Sequence, residues 1–121
     1  MKDWKIGEFP QRWVKAWNSR KIDELVSLFT EDVDCSTPLL NIEGGTIHGK
    51  MAVSHFWGNL FKKYPDFKLT ELASWVGVGT ICIHWFFDTG QNMSKEGIDT
   101  FYFEETGKVN RVMTHYKLEM D

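Results

Sequence analysis

One acid stands inside an apolar run: Asp99 in residues 97–103, "GIDTFYF", followed closely by Phe101, Tyr102 and Phe103. An ionised carboxylate is costly to bury, so a carboxyl in such a place is held neutral or is hydrogen-bonded. A neutral carboxyl can donate to an oxygen that gains negative charge in a reaction, and an ionised one can take a proton or orient an imidazole. The bland alternative is a structural hydrogen bond to backbone or to a side chain of the first helix. The second candidate is His84, in "TICIHWFFDTG". Period two puts Cys82, His84, Phe86 and Asp88 on one face of that strand and Ile81, Ile83, Trp85 and Phe87 on the other. Both faces are bulky, so alternation alone leaves the inner face open. The third is Tyr116 in "KVNRVMTHYKL", able to donate to an oxygen or simply to pack.

Other chemistries find little support. The histidines at 48, 55, 84 and 115 have no H-x-x-x-H spacing, and a catalytic zinc needs about three converging ligands, so no metal is expected. "EGGTIHG" reads as a hairpin turn without the Lys-Ser or Lys-Thr of a phosphate loop. Cys35 and Cys82 lie far apart with no nucleophile context and are expected to be reduced and buried. Glu31, Asp32 and Asp34 read as a solvated acidic stretch. No cofactor is implied.

The 121 residues are expected to form one domain, 1–121, burying about two thirds of the unfolded chain's surface. Hydrophobic residues make up 42%, and nine Phe, six Trp and three Tyr supply bulk for a core or a pocket wall. A net charge of −3 with scattered Lys and Arg gives no footprint for nucleic acid. "MKDWKIGEF" lacks the apolar core of a signal peptide, and no run reaches the roughly 20 apolar residues of a membrane span. A soluble, cytoplasmic protein is expected.

Phe9, Trp13, Ala16 and Trp17 predict an amphipathic helix over 8–18, with Pro10 in its first turn. Ile22, Leu25, Val26 and Phe29 predict a second, short helix. "TEDVDCSTP" then changes to period two, with Val33, Cys35 and Thr37 facing one way, and Gly44-Gly45 marks a hairpin. Val53, Phe56, Trp57, Leu60, Phe61 and Tyr64 predict a third helix ended by Pro65. Strands follow at about 67–76, 80–89, 95–105 and 108–118. Helices gathered against an antiparallel meander give an α+β class.

The stretches "AWNSRKIDELVSLFTEDVDCSTP", "IHGKMAVSHFW" and "GIDTFYFEETGKV", in this order, resemble the NTF2-like superfamily in its SnoaL-like and ketosteroid-isomerase-like branch, over nearly the whole chain. The resemblance implies a cone: a curved antiparallel sheet wrapped around helices, enclosing a closed apolar pocket, often in a homodimer. Such folds host isomerases, cyclases, epoxide hydrolases, dehydratases and plain binders, so fold does not settle function. In the isomerases, an acid at the position of Asp99 is kept protonated and donates to the enolate oxygen. Their general base precedes the proline of the first strand, and here that residue is Thr37, before Pro38. Their oxyanion tyrosine is here Trp13. The aspartate of the related cyclases and epoxide hydrolases is here Thr114, and the hydrolases' arginine is Gly97.

The same resemblance turns Cys82, His84 and Phe86 toward the pocket, with Asp99, Phe101 and Phe103 from the next strand. Val112, Thr114 and Tyr116 follow from the last strand, with His115 outward. His84 and Asp99 then become neighbours across an antiparallel pair, and the carboxylate would orient the imidazole as a general base. A single His in a strand is more often structural or on a dimer face than catalytic, which is the alternative for His84, and a one-residue bulge would exchange Tyr116 for His115. Trp13, Trp17, Phe56 and Phe86 are pocket-wall candidates, although aromatic stripes at such spacing are core by default and Trp17 reads first as core, with Thr37, Cys82, Phe101, Val112 and Thr114 completing the lining. Two functions follow. One is a cofactor-independent acid/base enzyme of isomerase, cyclase or dehydratase type, acting on a small, largely apolar, oxygen-bearing molecule. The other is a module that binds such a molecule, or dimerises, without catalysis.

Overall fold

The computed structural model describes residues 3–38 and 45–118. Helix α1 (Asp3–Ser19) buries Ile6, Phe9, Trp13, Ala16 and Trp17 along one stripe. It starts earlier than the sequence predicts, with Pro10 inside it. Burial of Ile6 on the same stripe offsets the hydrogen bond that Pro10 cannot donate. At its end Asn18 stitches the helix to the sheet, donating to the Leu69 carbonyl and accepting from the Leu69 N–H, both at 2.8 Å. Arg20, at φ 61°, turns the chain away, and its guanidinium donates to the carbonyls of Pro65 and Phe67.

Helix α2 (Ile22–Val26) ends before Phe29, which the helical spacing had included. Phe29 instead opens strand β1 (Phe29–Ser36), where it is buried with Val33 and Cys35. Strand β2 (Thr46–His48) pairs antiparallel with β1. Of the glycine pair that predicts this turn, Gly45 has φ 58°; Gly44 lies outside the described residues. Helix α3 (Lys50–Lys63) buries Val53 and Trp57 and is capped by Tyr64, just before Pro65.

Strands β3 (Lys68–Gly77), β4 (Thr80–Asp88), β5 (Ser94–Phe103) and β6 (Val109–Tyr116) form the meander. Among the described residues the sheet has six strands in the order β2-β1-β6-β5-β4-β3. Its β1–β6 pairing is parallel, so the sheet is mixed where an antiparallel one was predicted. A parallel pair requires a long connection between its strands, and α3 with the rest of the meander supplies it. Register shifts between Glu71 and Ala73, between Tyr102 and Phe103, and between Phe29 and Asp34 bend the sheet. Three helices packed into that curve make an α+β cone.

Trp13, 1% exposed, is the hub of the packing. Its ring centroid lies 4.7 Å from Phe101, 5.7 Å from Phe29 and Trp57, and 5.9 Å from Trp17. Edge-on and tilted contacts of this kind add to the area each ring buries. Trp13, Trp17 and Trp57 of this cluster also form part of the wall of a cavity. Among the described residues no helix is long and apolar enough to cross a membrane.

Candidate functional site

The cavity has a volume of about 270 Å³, just below the usual range for small-molecule sites. Its walls are aromatic: Trp13 and Trp17 from α1, Phe56, Trp57 and Tyr64 from α3 and its end, Trp85 and Phe87 from β4, and Tyr116 from β6. Cys35, Thr37, Asp99 and Thr114 add polar groups along the sheet side. The cavity is not sealed, since the exposed residues Lys63, Met93, Ser94 and Lys95 stand at its mouth.

Register decides which side chains enter. Asp99 is the cross-strand partner of Ile83 and of Thr114, and directly opposed residues share a face. The inner face of β4 is therefore that of Ile81, Ile83, Trp85 and Phe87. This corrects the sequence reading for Cys82, His84 and Phe86, which lie on the outer face. His84 pairs there with Ile98, and its Nε2 lies 2.7 Å from Glu96 Oε2. Lys117 completes that surface group, 3.5 Å from the same carboxylate oxygen. Cys82 Sγ lies 3.4 Å from Thr100 Oγ1. His84 and Asp99, one register step apart, are thus on opposite sides of the sheet and form no dyad. Phe101 and Val112 do face inward, but both are packed fully into the core and do not line the cavity. His115 is exposed and pairs with Ile98 on the outer face.

Trp85 reaches the cavity because it stands opposite Gly97. A Cβ built on Gly97 would come within 2.7 Å of the Trp85 ring, so glycine here lets the indole lie flat across the neighbouring strand. That pairing of a large ring with a glycine exists only through the β4–β5 register, so it could not be read from the sequence. Cys35 was legible from its alternation with Val33 and Thr37. Trp57 and Tyr64 were legible only as part of the α3 stripe, and Lys63 and Lys95 carried no signal.

Asp99 is 8% exposed, and Thr114 Oγ1 donates a 2.6 Å hydrogen bond to its Oδ1. Burial lifts its carboxyl to about 6, against the pull of the Thr114 hydroxyl and the nearby Trp85 indole, which favour the ionised form. The Trp85 N–H is buried near the carboxylate without completing a hydrogen bond of good geometry, and the indole N–H groups of Trp13 and Trp17 are likewise unpaired. Tyr116 is pushed up to about 12 by burial, with Asp99 adding to the rise and an interaction with Thr37 opposing it. Cys35 is also raised to about 12 by burial, then by Asp99 and Asp34. Both therefore stay neutral near pH 7, while Asp99 changes charge close to it. Among the described residues, no group of three or more His, Cys, Asp or Glu side chains is placed to hold a metal ion.

A curved α+β cone with helices in its bend and an aromatic cavity holding one buried carboxyl defines an NTF2-like architecture. The family model of the SnoaL-like domain matches residues 11–112, and the chain belongs to that family. A SnoaL-like protein of unknown function from Burkholderia thailandensis is 24% identical, with 98% of this chain and 99% of that one covered and a TM-score of 0.87. A cystatin-like-fold protein of unknown function from Methylobium petroleophilum is 14% identical over 100% of this chain and 81% of that one, at a TM-score of 0.84. A Kribbella flavida protein assigned provisionally as a ketosteroid isomerase is 19% identical over 93% and 77% of the two chains, at a TM-score of 0.75. At these identities the likeness is one of fold. No curated protein sequence matches.

Proposed function

We propose that this chain is a cofactor-independent acid/base enzyme, of isomerase, cyclase or dehydratase type, acting on a small, largely apolar, oxygen-bearing molecule. The observation that carries the reading is Asp99: a buried carboxyl in an aromatic cavity, lifted to about 6 and held by Thr114. Such a group is mostly ionised at pH 7, yet takes a proton more readily than an ordinary carboxylate, which suits a general base. Asp99 would remove a proton from the carbon beside a carbonyl, or from a hydroxyl, and return it elsewhere on the same molecule. Tyr116 and the Trp85 indole N–H would donate to the oxygen that gains charge, each such donor being worth about 3 kcal/mol. His84, on the outer face, has no part in this scheme.

Hydrogen–deuterium exchange at the carbon beside the carbonyl of small cyclic ketones, followed by NMR, tests it. Wild type should accelerate exchange, with a rate that rises through about pH 6 as Asp99 ionises. Asp99→Asn should lose about a hundredfold or more of that rate. Equal rates in the two proteins would leave the second reading, a binding module, which the predominance of apolar walls favours.

The pairing of two copies belongs to the same proposal. Trp75 and Ile98 are exposed on the outer sheet face and offer apolar surface that a second copy could cover. Sedimentation equilibrium should give a dimer that Trp75→Lys weakens; a monomer at all concentrations would refute it.

A further inference from the structure

The charge at the cavity mouth narrows the kind of molecule that enters. Lys63 is the last residue of α3 and Lys95 lies near the start of β5, so two cations from different elements, both exposed, line the one cavity. Lys95 pairs across the sheet with Phe87, a cavity wall, which sets it on the inner face. Each ammonium sits over a wall ring: Lys63 Nζ is 5.3 Å from the Tyr64 centroid and Lys95 Nζ 5.0 Å from that of Tyr116. Among the described residues neither lysine has an acidic partner within salt-bridge distance. Glu96, next to Lys95 in sequence, is engaged on the opposite face by His84 and Lys117. Asp99 is the one acidic residue lining the cavity among the described residues, and it is buried.

Two unneutralised cations at the mouth of an aromatic cavity, in a chain of net charge −3, form a local positive field against the overall sign. Rings beneath the ammonium groups hold them at the rim without cancelling their charge. Tyr116 spans the distance inward: one side meets Lys95, and Trp85 stands edge-on to it at 5.9 Å. A ligand lying along that wall would place one end between the lysines and the other beside Asp99.

We infer that the molecule taken up is an organic acid: a compact one- or two-ring skeleton between the aromatic walls, its carboxylate at the mouth between Lys63 and Lys95 and its second oxygen toward Asp99. The inference rests on the reading of this cavity as the functional site and adds the substrate's charge.

Calorimetric titration with 4-oxocyclohexanecarboxylate and 6-hydroxy-2-naphthoate, each against its methyl ester, tests it. Wild type should bind at least one acid about tenfold tighter than its ester, with a preference that shrinks as salt is raised. The acid-to-ester ratio should fall to about one in the double variant Lys63→Met/Lys95→Met and survive in Lys63→Arg/Lys95→Arg, with circular dichroism confirming that both fold. Equal affinity for acid and ester in wild type, no binding of either acid, or a preference that persists in the methionine variant would overturn the inference. Asp99→Asn tests proton transfer separately. Loss of catalysis there without change in the ratio concerns only Asp99, and an intact ratio with no catalysis in wild type removes the enzyme reading alone.

Discussion

Asp99 sets a cost as well as a capability. Its carboxyl is raised to about 6 in the folded protein by burial, against roughly 3.9 in an unfolded chain. The folded state therefore holds a proton that the unfolded state has lost over this interval, and stability falls as pH rises from about 4 through about 6. The difference between low pH and pH 8 amounts to at most about 3 kcal/mol from this residue. Asp99→Asn keeps the shape and removes the charge. It should unfold at higher urea than wild type at pH 8 and show no such gain at pH 4; equal midpoints at pH 8 would mean that the carboxylate is solvated in the folded state. The acid in "GIDTFYF" was conspicuous by residue type alone, since the cost of burying a charge singles it out. Its working partner was not legible. Thr114 lies fifteen residues along the chain and becomes a donor only through the β5–β6 register.

At the scale of the strand, one bit of information separates a dyad from a surface pair. Period-two alternation correctly divides β4 into the set of His84 and the set of Trp85, but no property of the strand itself says which set is inside. Ile83 opposite Asp99 decides it. His84→Gln should therefore leave the Asp99 titration near its wild-type midpoint, followed by carbon-13 NMR of the carboxyl, whereas a dyad would displace it by about one unit or more. The helices were more legible than the strands, because a stripe at 3.6-residue spacing names its own buried face. Phe29 is the exception. It continues the helical spacing of α2, yet starts β1, because its ring is needed against Trp13 and Trp57.

The whole molecule is a sheet bent around aromatic rings, and its stability depends on how those rings pack. Trp13 touches Phe9, Trp17, Phe29, Trp57 and Phe101, and its side chain is almost wholly enclosed. Replacing it by Ala should cost about 3–5 kcal/mol, a large share of the stability of a domain this size, read from urea denaturation. A loss below about 1 kcal/mol would show that this ring cluster is not what holds the cone together.

Composition, helical stripes and turn residues determined locally that the chain would pair amphipathic helices with a meander, and that one carboxyl would stand in apolar surroundings. Those features follow from short-range sterics and from the cost of exposing or burying a side chain. Tertiary structure decided the inner face of β4, the parallel β1–β6 contact, and the presence of Lys63 and Lys95 on one cavity. Each of these joins residues far apart in the chain, and cross-strand register or the packing of a helix on the sheet, which no local pattern specifies, places them together.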